Sequence, residues 1–188
     1  MAAYAGRLSF DVPPFATRAG VLLLLYEYQE EFGTVLIERV SHQHDKHSGQ
    51  ISLPGGKLDV ADLDIEACAI REAHEEIGIV KEEIKVIGKL SDLYIPVSGF
   101  LVTPVVGVAK KINTLTPQPS EVADILQVPL SMLFSEQSRS KKDLQIRQGV
   151  ILPAVPYFHL QGKVVWGATA MMLNEFITIS QEILSNTR

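Results

Sequence analysis

The chain predicts an α/β fold, a three-layer α/β/α sandwich around a mixed β-sheet, and three observations point there. Strand-like segments alternate with two longer helical patterns along the 188 residues. The first strand-like segment is apolar almost throughout, as expected of a strand covered on both faces. No stretch rich in Gly, Pro or Ser divides the chain, so a single domain over 1–188 is expected, with its core at about 18–175. That length is enough to bury about 70% of the unfolded surface.

The elements follow in order. Gly20 to Tyr28 and Thr34 to Val40 read as two strands, the first central, joined by a polar turn from Gln29 to Gly33. Ser41 to Ser48 is a polar loop, and Gln50 to Leu53 is a strand that Pro54-Gly55-Gly56 ends. Asp62 and Asp64 are N-cap candidates for a helix running to Ile77, with Gly78 as its stop. Ile84 to Leu93 and Phe100 to Ala109 read as further strands, and Val128 to Phe134 as a short helix or turn. Residues 135–148 are a polar, charged excursion. Val150 to His159 and Val164 to Trp166 flank Gln161-Gly162, a hairpin signal. Gly167 to Asn186 closes the chain as an amphipathic helix that Trp166-Gly167-Ala168-Thr169 opens, with Trp166 expected in the core.

Composition narrows the function. Hydrophobic content of 46% and charged content of 21% describe an ordinary globular protein. A net charge of −5 argues against coating nucleic acid, but not against a phosphorylated ligand whose charge bound metal ions offset. The single cysteine, Cys68, cannot form an intrachain disulfide and reads as a packing residue. Residues 1–15 lack a basic start with a long apolar run, and Val21 to Leu25 is far shorter than the ~20 residues a membrane span needs. A cytoplasmic protein with neither nucleic-acid nor membrane partners is expected.

The most informative segment is Gly55-Gly56-Lys57 followed by Arg71-Glu72-Ala73-His74-Glu75-Glu76-Ile77-Gly78-Ile79. Glu72, Glu75 and Glu76 span only about 100° of a helix surface, where like charges cost roughly 0.2–0.5 kcal/mol per pair. With Ile65 as zero, Cys68 and Ala69 lie about 60° and 40° to either side, and Glu72 and Glu76 about 20° either side. The two glutamates therefore continue the apolar stripe, while Arg71 and His74 point away from it. A solvated acidic face would oppose that stripe. Carboxylates aimed at partly covered ground are paired, protonated or metal-bound, and clustered hard oxygens suit Mg²⁺ or Mn²⁺. His42, His44 and His47 lack the spacing and the cysteine partners of a zinc site.

The segment from Arg71 to Ile79 resembles the second half of the signature of the Nudix hydrolases. In the first half, Gly56 lies fifteen residues before Arg71, one more than is usual, and Asp62 stands at the place of the signature's first glutamate. That combination is similar to the coenzyme A pyrophosphatase branch. So is the stretch Val35-Leu36-Ile37-Glu38-Arg39-Val40-Ser41 with His47-Ser48-Gly49-Gln50-Ile51-Ser52-Leu53-Pro54-Gly55-Gly56. Asp45 departs from that motif, where arginine is usual, and so does Leu53, where phenylalanine is usual. Segments around Thr103-Pro104, Ser120-Glu121-Val122, Val128-Pro129-Leu130 and Trp166 to Ala170 also fit.

The resemblance implies a Nudix-type sandwich and hydrolysis of a pyrophosphate bond in a small nucleotide, with coenzyme A or acyl-coenzyme A as first choice. It implies that Glu72 and Glu76, with Glu75 and the Gly56 carbonyl, hold Mg²⁺ or Mn²⁺. Arg71 would orient the glutamates, and either Glu75 or Glu121 would take the proton of the attacking water. His47, Gly49, Gln50 and Gly55 would bind substrate. Arg39 would either pair with a phosphate or form a surface salt bridge. The rival substrates are ADP-ribose and dinucleotides, which Asp45 keeps open. A catalytically silent nucleotide sensor is the reading of a different class, and retention of all three glutamates speaks against it. Apolar surface on the last helix leaves room for a homodimer.

Overall fold

The computed structural model describes residues 12–40, 49–112, 114–147 and 150–186. At its centre β1 (Thr17–Tyr28) and β7 (Phe100–Lys111) run parallel, paired from Thr17 with Phe100 onward. On one flank β1 pairs with β2 (Glu31–Arg39), which in turn carries β3 (Ile51–Ser52) and β8 (Val122–Pro129), all antiparallel. At its other end β1 pairs with β4 (Gly55–Lys57). On the far flank β5 (Lys85–Lys89) and β6 (Leu93–Ile95) pair antiparallel with β7. The sheet is mixed, as expected.

The continuous apolar run of β1 has a direct cause. Leu22, Leu24 and Tyr26 pack with Ala69, Ala73 and Ile77 of α1 (Ile65–Ile77) on one face. Ala19 and Leu23 belong to the opposite cluster with Leu173, Phe176 and Ile177 of α3 (Gly167–Asn186). Alternate side chains of one strand thus serve two cores, which makes the three-layer sandwich. Each such fully buried Leu contributes about 1.5–3 kcal/mol. Helix α1 lies very close to the sheet: a Cβ on Gly20 would stand 2.7 Å from the Ile65 carbonyl oxygen.

Local sequence sets the ends of α1. Asp64 Oδ1 accepts hydrogen bonds from the Glu66 and Ala67 N–H groups, each at 2.9 Å. Gly78 closes the helix in the left-handed region at φ 71°. Asp62, the other N-cap candidate, serves elsewhere.

Several expectations are corrected. The turn between β1 and β2 is only Gln29 and Glu30, both at positive φ (49° and 67°). Such a primed turn matches strand twist but usually carries Asn-Gly, so neither residue signalled it. Residues 55–57 do not simply end a strand; they form β4 against Ala19 to Val21. The strand expected over 84–93 is two strands, β5 and β6. Strand β8 was not expected. Its burial is irregular at the start, where Val122 is buried and Ala123 and Asp124 are exposed past a register shift, and it alternates only from Leu126 to Pro129, too few residues to give a period-2 signal. The short helix α2 is Leu130–Phe134.

The charged excursion contains β9 (Arg139–Arg147), which pairs with β10 (Val150–Leu160) and through it with β11 (Lys163–Trp166) in a second, three-stranded antiparallel sheet. Gln161 and Gly162 make the expected hairpin, at φ 49° and 81°. Trp166 is half-buried rather than in the core, because its neighbour Val165 takes the inward position. This sheet and α3 are tied to the first sheet by contacts that include Lys163 Nζ to Glu38 Oε2, Gln161 Nε2 donating to the Gln127 carbonyl at 2.6 Å, and Thr169 Oγ1 donating to the Ile51 carbonyl at 3.1 Å. At the end of α3, Ile179, Ile183 and Leu184 are exposed. Among the described residues, no helix is long and apolar enough to cross a membrane.

Candidate active site

Helix α1, strand β4 and the turn before β8 meet at the glutamates. Glu76 is only 2% exposed. Its Oε2 accepts the Gly55 N–H at 2.8 Å, and its Oε1 stands 3.6 Å from Arg39 Nη1. Burial pushes its carboxyl up to about 7, against the pull of the Gly55 N–H and the Arg39 charge. The charges of Glu72 and Glu121 push the same way as burial.

Glu72, one turn earlier, has 17% of its side chain exposed, and Arg71 Nη1 lies 2.9 Å from its Oε1. Burial raises its pKa too, against the hydrogen bond and charge of Arg71. Gly56 faces this carboxylate so closely that a Cβ there would stand 2.5 Å from Glu72 Cδ. A side chain at 56 would therefore push the Glu72 carboxylate out of this position.

Arg71 anchors the other side of the helix. Its Nε and Nη2 grip Asp62 Oδ1 and Oδ2 at 2.8 and 2.9 Å, a bidentate pair. Its Nη1 reaches Glu75 Oε2 at 3.0 Å, and its Nη2 donates to the Lys57 carbonyl at 3.2 Å. Asp62 is 4% exposed, and the Arg71 hydrogen bonds hold its carboxyl down at about 2. Glu75, 54% exposed, is the outermost of the three glutamates. Cys68 packs beneath, its thiol donating weakly to the Gly56 carbonyl at 3.6 Å and its pKa raised by burial.

Glu121 reaches the site through the backbone. The Gln118 N–H donates to the Glu76 carbonyl at 2.9 Å, and Glu121 N–H donates to the Gln118 carbonyl at 3.0 Å. Val40 N–H then donates to the Glu121 carbonyl at 2.9 Å, beside the pairing of Arg39 with Val122. The Arg39 N–H donates to the Gln50 carbonyl at 3.0 Å, which brings residue 50 alongside, and Gly49 precedes it at φ 67°.

The structure therefore brings Arg39, Gly55, Gly56, Arg71, Glu72, Glu75, Glu76 and Glu121 into one neighbourhood, with Gly49 and Gln50 at its margin. His47 lies outside the described residues, as do His42, His44 and Asp45. Arg71 pairs with Glu72 and Glu75 while Asp62 holds its Nε and Nη2. Sequence spacing showed only the local Arg71–Glu75 pair. The grip on Asp62, nine residues earlier, has no helical spacing to announce it.

The fit of a divalent cation can be judged from these groups. Among the described residues, no three His, Cys, Asp or Glu side chains already enclose a metal-sized point. The donors are nevertheless all hard oxygens; Glu76 is buried and Glu72 partly so, burial disfavours the negative form of each, and the Glu72 charge adds to the effect on Glu76. Two carboxylates and a neighbouring carbonyl suit a cation that keeps several waters and takes phosphate oxygens, which is the habit of Mg²⁺.

Comparison with known proteins identifies the family. The family model for the NUDIX domain matches residues 16–152. The Nudix hydrolase NudL of Photorhabdus laumondii is 37% identical over 142 residues, 76% of this chain and 74% of that protein. NudL of an Enterobacter species is 36% identical over 158 residues, 84% of this chain and 80% of that protein. Among solved structures, the Nudix hydrolase RenU of M. smegmatis superposes with a TM-score of 0.56 at 17% identity, over 92% of this chain and 88% of that one, a likeness of fold. With that match, those relatives and the glutamate helix together, the chain belongs to the Nudix hydrolase family, enzymes that act on pyrophosphate bonds.

Proposed function

We propose that the protein hydrolyses the pyrophosphate bond of coenzyme A or its acyl thioesters, releasing 3′,5′-ADP and phosphopantetheine or its acyl form. The observation that carries this reading is the Gly55 N–H bond to buried Glu76. It couples the end of the coenzyme-A-like segment, residues 47–56, to the carboxylate helix. Substrate held by that segment would have its phosphates beside Glu72 and Glu76.

Nudix enzymes generally use divalent ions such as Mg²⁺ or Mn²⁺. Glu72 and Glu76, with Glu75 and the Gly56 carbonyl, would hold them here. When bound, such an ion neutralises charge on the phosphoryl oxygens and makes water a better nucleophile. The residues do the rest. Arg71, fixed by Asp62, sets the direction of Glu72 and Glu75. Arg39 partners a phosphate oxygen when substrate displaces it from its 3.6 Å approach to Glu76. Water adds to one phosphorus, the bridging P–O bond breaks towards the other phosphate, and a carboxylate takes the water's proton. Glu75 is already held by Arg71, which favours Glu121 as the acceptor. In this reading residues 1–188 form one cytoplasmic domain.

The test is product analysis with Mg²⁺ or Mn²⁺ and coenzyme A, ADP-ribose or a diadenosine polyphosphate. Preferential conversion of coenzyme A to 3′,5′-ADP supports the proposal. Preference for ADP-ribose or the dinucleotide overturns the substrate while keeping the site. That second reading rests on Asp45, which stands where the coenzyme A branch carries arginine.

A further inference from the structure

Helix α3 is 20 residues long, and its two halves differ on the side turned from the core. Beside the first half, a groove of about 670 Å³ opens against the β9–β10 pair and the segment before β6. Leu93, Phe158, Ala170 and Met171 make its wall apolar, and methionine adapts to an irregular guest. The second half presents a convex apolar surface instead. There Ile179 and Ile183 are 39% and 60% exposed, and Glu182 beside them is exposed too. Both halves share one seam. With Met171 as zero, Glu182, Glu175 and Ile179 lie about 20°, 40° and 80° to one side, Thr178 and Asn174 about 20° and 60° to the other.

Charge divides along the same line. The charged residues of α3 are Glu175 and Glu182, both acidic. Strand β9 begins Arg139-Ser140-Lys141-Lys142, and Lys141 is an exposed residue of the groove. Ser140 stands opposite Tyr157, and Tyr157 opposite Trp166, the residue before α3. The Lys141 end of the groove therefore lies at the start of the helix. The acidic end lies further along, where Glu175 Oε1 accepts the Ser91 N–H at 2.9 Å, next to Asp92. Glu182 is at the opposite end of α3 from the lysine. An apolar patch with a charged rim marks a contact surface. This one carries a hollow with a base and a raised face with an acid, each the complement of the other, as a two-fold contact requires.

We propose that a second copy of this chain covers the surface, with its α3 antiparallel to the first. A two-fold axis at the level of Phe176 and Ile177 sets Met171 opposite the second copy's Glu182, Asn174 opposite its Ile179, and Glu175 opposite its Thr178. Ile179 of each chain then enters the groove of the other, and Glu182 of each reaches the Lys141 end. The glutamates of both helices stand opposite uncharged residues, so the seam brings no like charges together. The apolar contact supplies affinity, and the two Lys141–Glu182 pairs fix the direction of the helices.

The test is sedimentation velocity of the whole chain as its concentration is varied. Dimers are expected at about 10–100 µM, the range open to a modest interface. Ile179→Asp, which puts a carboxylate into the apolar groove, should weaken dimerisation at least about tenfold. Lys141→Glu and Glu182→Lys should each weaken it and should restore it when combined, since the swap exchanges both signs. A merely structural role for either residue gives no such rescue. Should Ile179→Asp fail to fold, the exposed charge pair carries the test alone. A protein monomeric throughout the range overturns the inference and leaves the groove to a small ligand or to a different protein. Dimers that none of these variants weakens, or a double swap no tighter than the single ones, also overturn it. No residue of the groove belongs to α1, β2, β4 or the turn that carries Glu121, so turnover does not enter the test and either reading can fail without the other.

Discussion

The two flanks of helix α1 treat charge in opposite ways. On one flank Arg71 meets Asp62, Glu72, Glu75 and a backbone carbonyl, and Asp62 is held ionised well below the usual carboxylate range. On the other, Glu76 is buried with one backbone donor and an arginine at 3.6 Å, and its carboxyl is pushed up to about 7. On the first flank Arg71 works as a clamp, and Asp62 is fully compensated, while burial still raises the pKa of Glu72. The second holds more negative charge than its surroundings stabilise. One helix therefore carries a clamped cluster around Arg71 and an undercompensated carboxylate at Glu76, with Glu72 between them, and under the proposed function the undercompensated side is where a cation and a phosphate have most to offer.

Breaking the clamped flank should have the largest effect. Arg71→Ala leaves Asp62 buried without its partner and should cost about 3–5 kcal/mol in denaturant unfolding. Arg71→Lys should recover only part of this, because an ammonium cannot reproduce the bidentate pair.

On the undercompensated flank, Glu76→Gln should lower turnover by about 10²–10³-fold, roughly 3–4 kcal/mol of transition-state stabilisation. The fold should survive, since the amide oxygen can still accept the Gly55 N–H. Loss of folding in place of loss of turnover would mean that Glu76 is structural.

The pH dependence of the metal-free protein sharpens the contrast. Glu76 has an ordinary value of 4.5 and a folded value of about 7, so between these the folded state binds the extra proton. Stability from this group is full below about 4.5, falls as pH rises, and is gone above about 7, a change of order 3 kcal/mol at most. Asp62 behaves oppositely: its contribution is present above 3.8 and is lost as pH falls towards about 2. Unfolding curves in chelator across this range should show both limbs, and Glu76→Gln should remove only the neutral one.

The smallest effect belongs to the helix start that serves both flanks. Asp64→Ala removes the N-cap and should cost about 1 kcal/mol of stability with kcat and KM unchanged. A changed kcat would show that the helix start is coupled to the glutamates.

Much of this could be read locally. The Asp64 cap, the Gly78 stop, the stripe of Ile65, Cys68, Ala69, Glu72 and Glu76, and the Gln161-Gly162 hairpin are signals carried within a few residues. What escaped was non-local. Strand β8 has an interrupted burial pattern and β9 is mostly polar, and the identity of each comes from the partners that pair with it. The primed turn at Gln29 and Glu30 is imposed by the twist of two long strands. Trp166 yields the inward position to Val165 because strand register, not hydrophobicity, decides which neighbour faces the core.

The same division holds for the site. The sequence by itself determined which residues carry charge on one helical surface and that the Gly55-Gly56 turn precedes it, because spacing along a regular helix is a geometric consequence of order in the chain. Only the tertiary structure decided that Glu76 is buried, that Asp62 holds Arg71, and that the β2–β8 pairing delivers Glu121 beside Arg39. Burial, charge pairing and desolvation depend on what other segments bring to a place, and no local pattern encodes that.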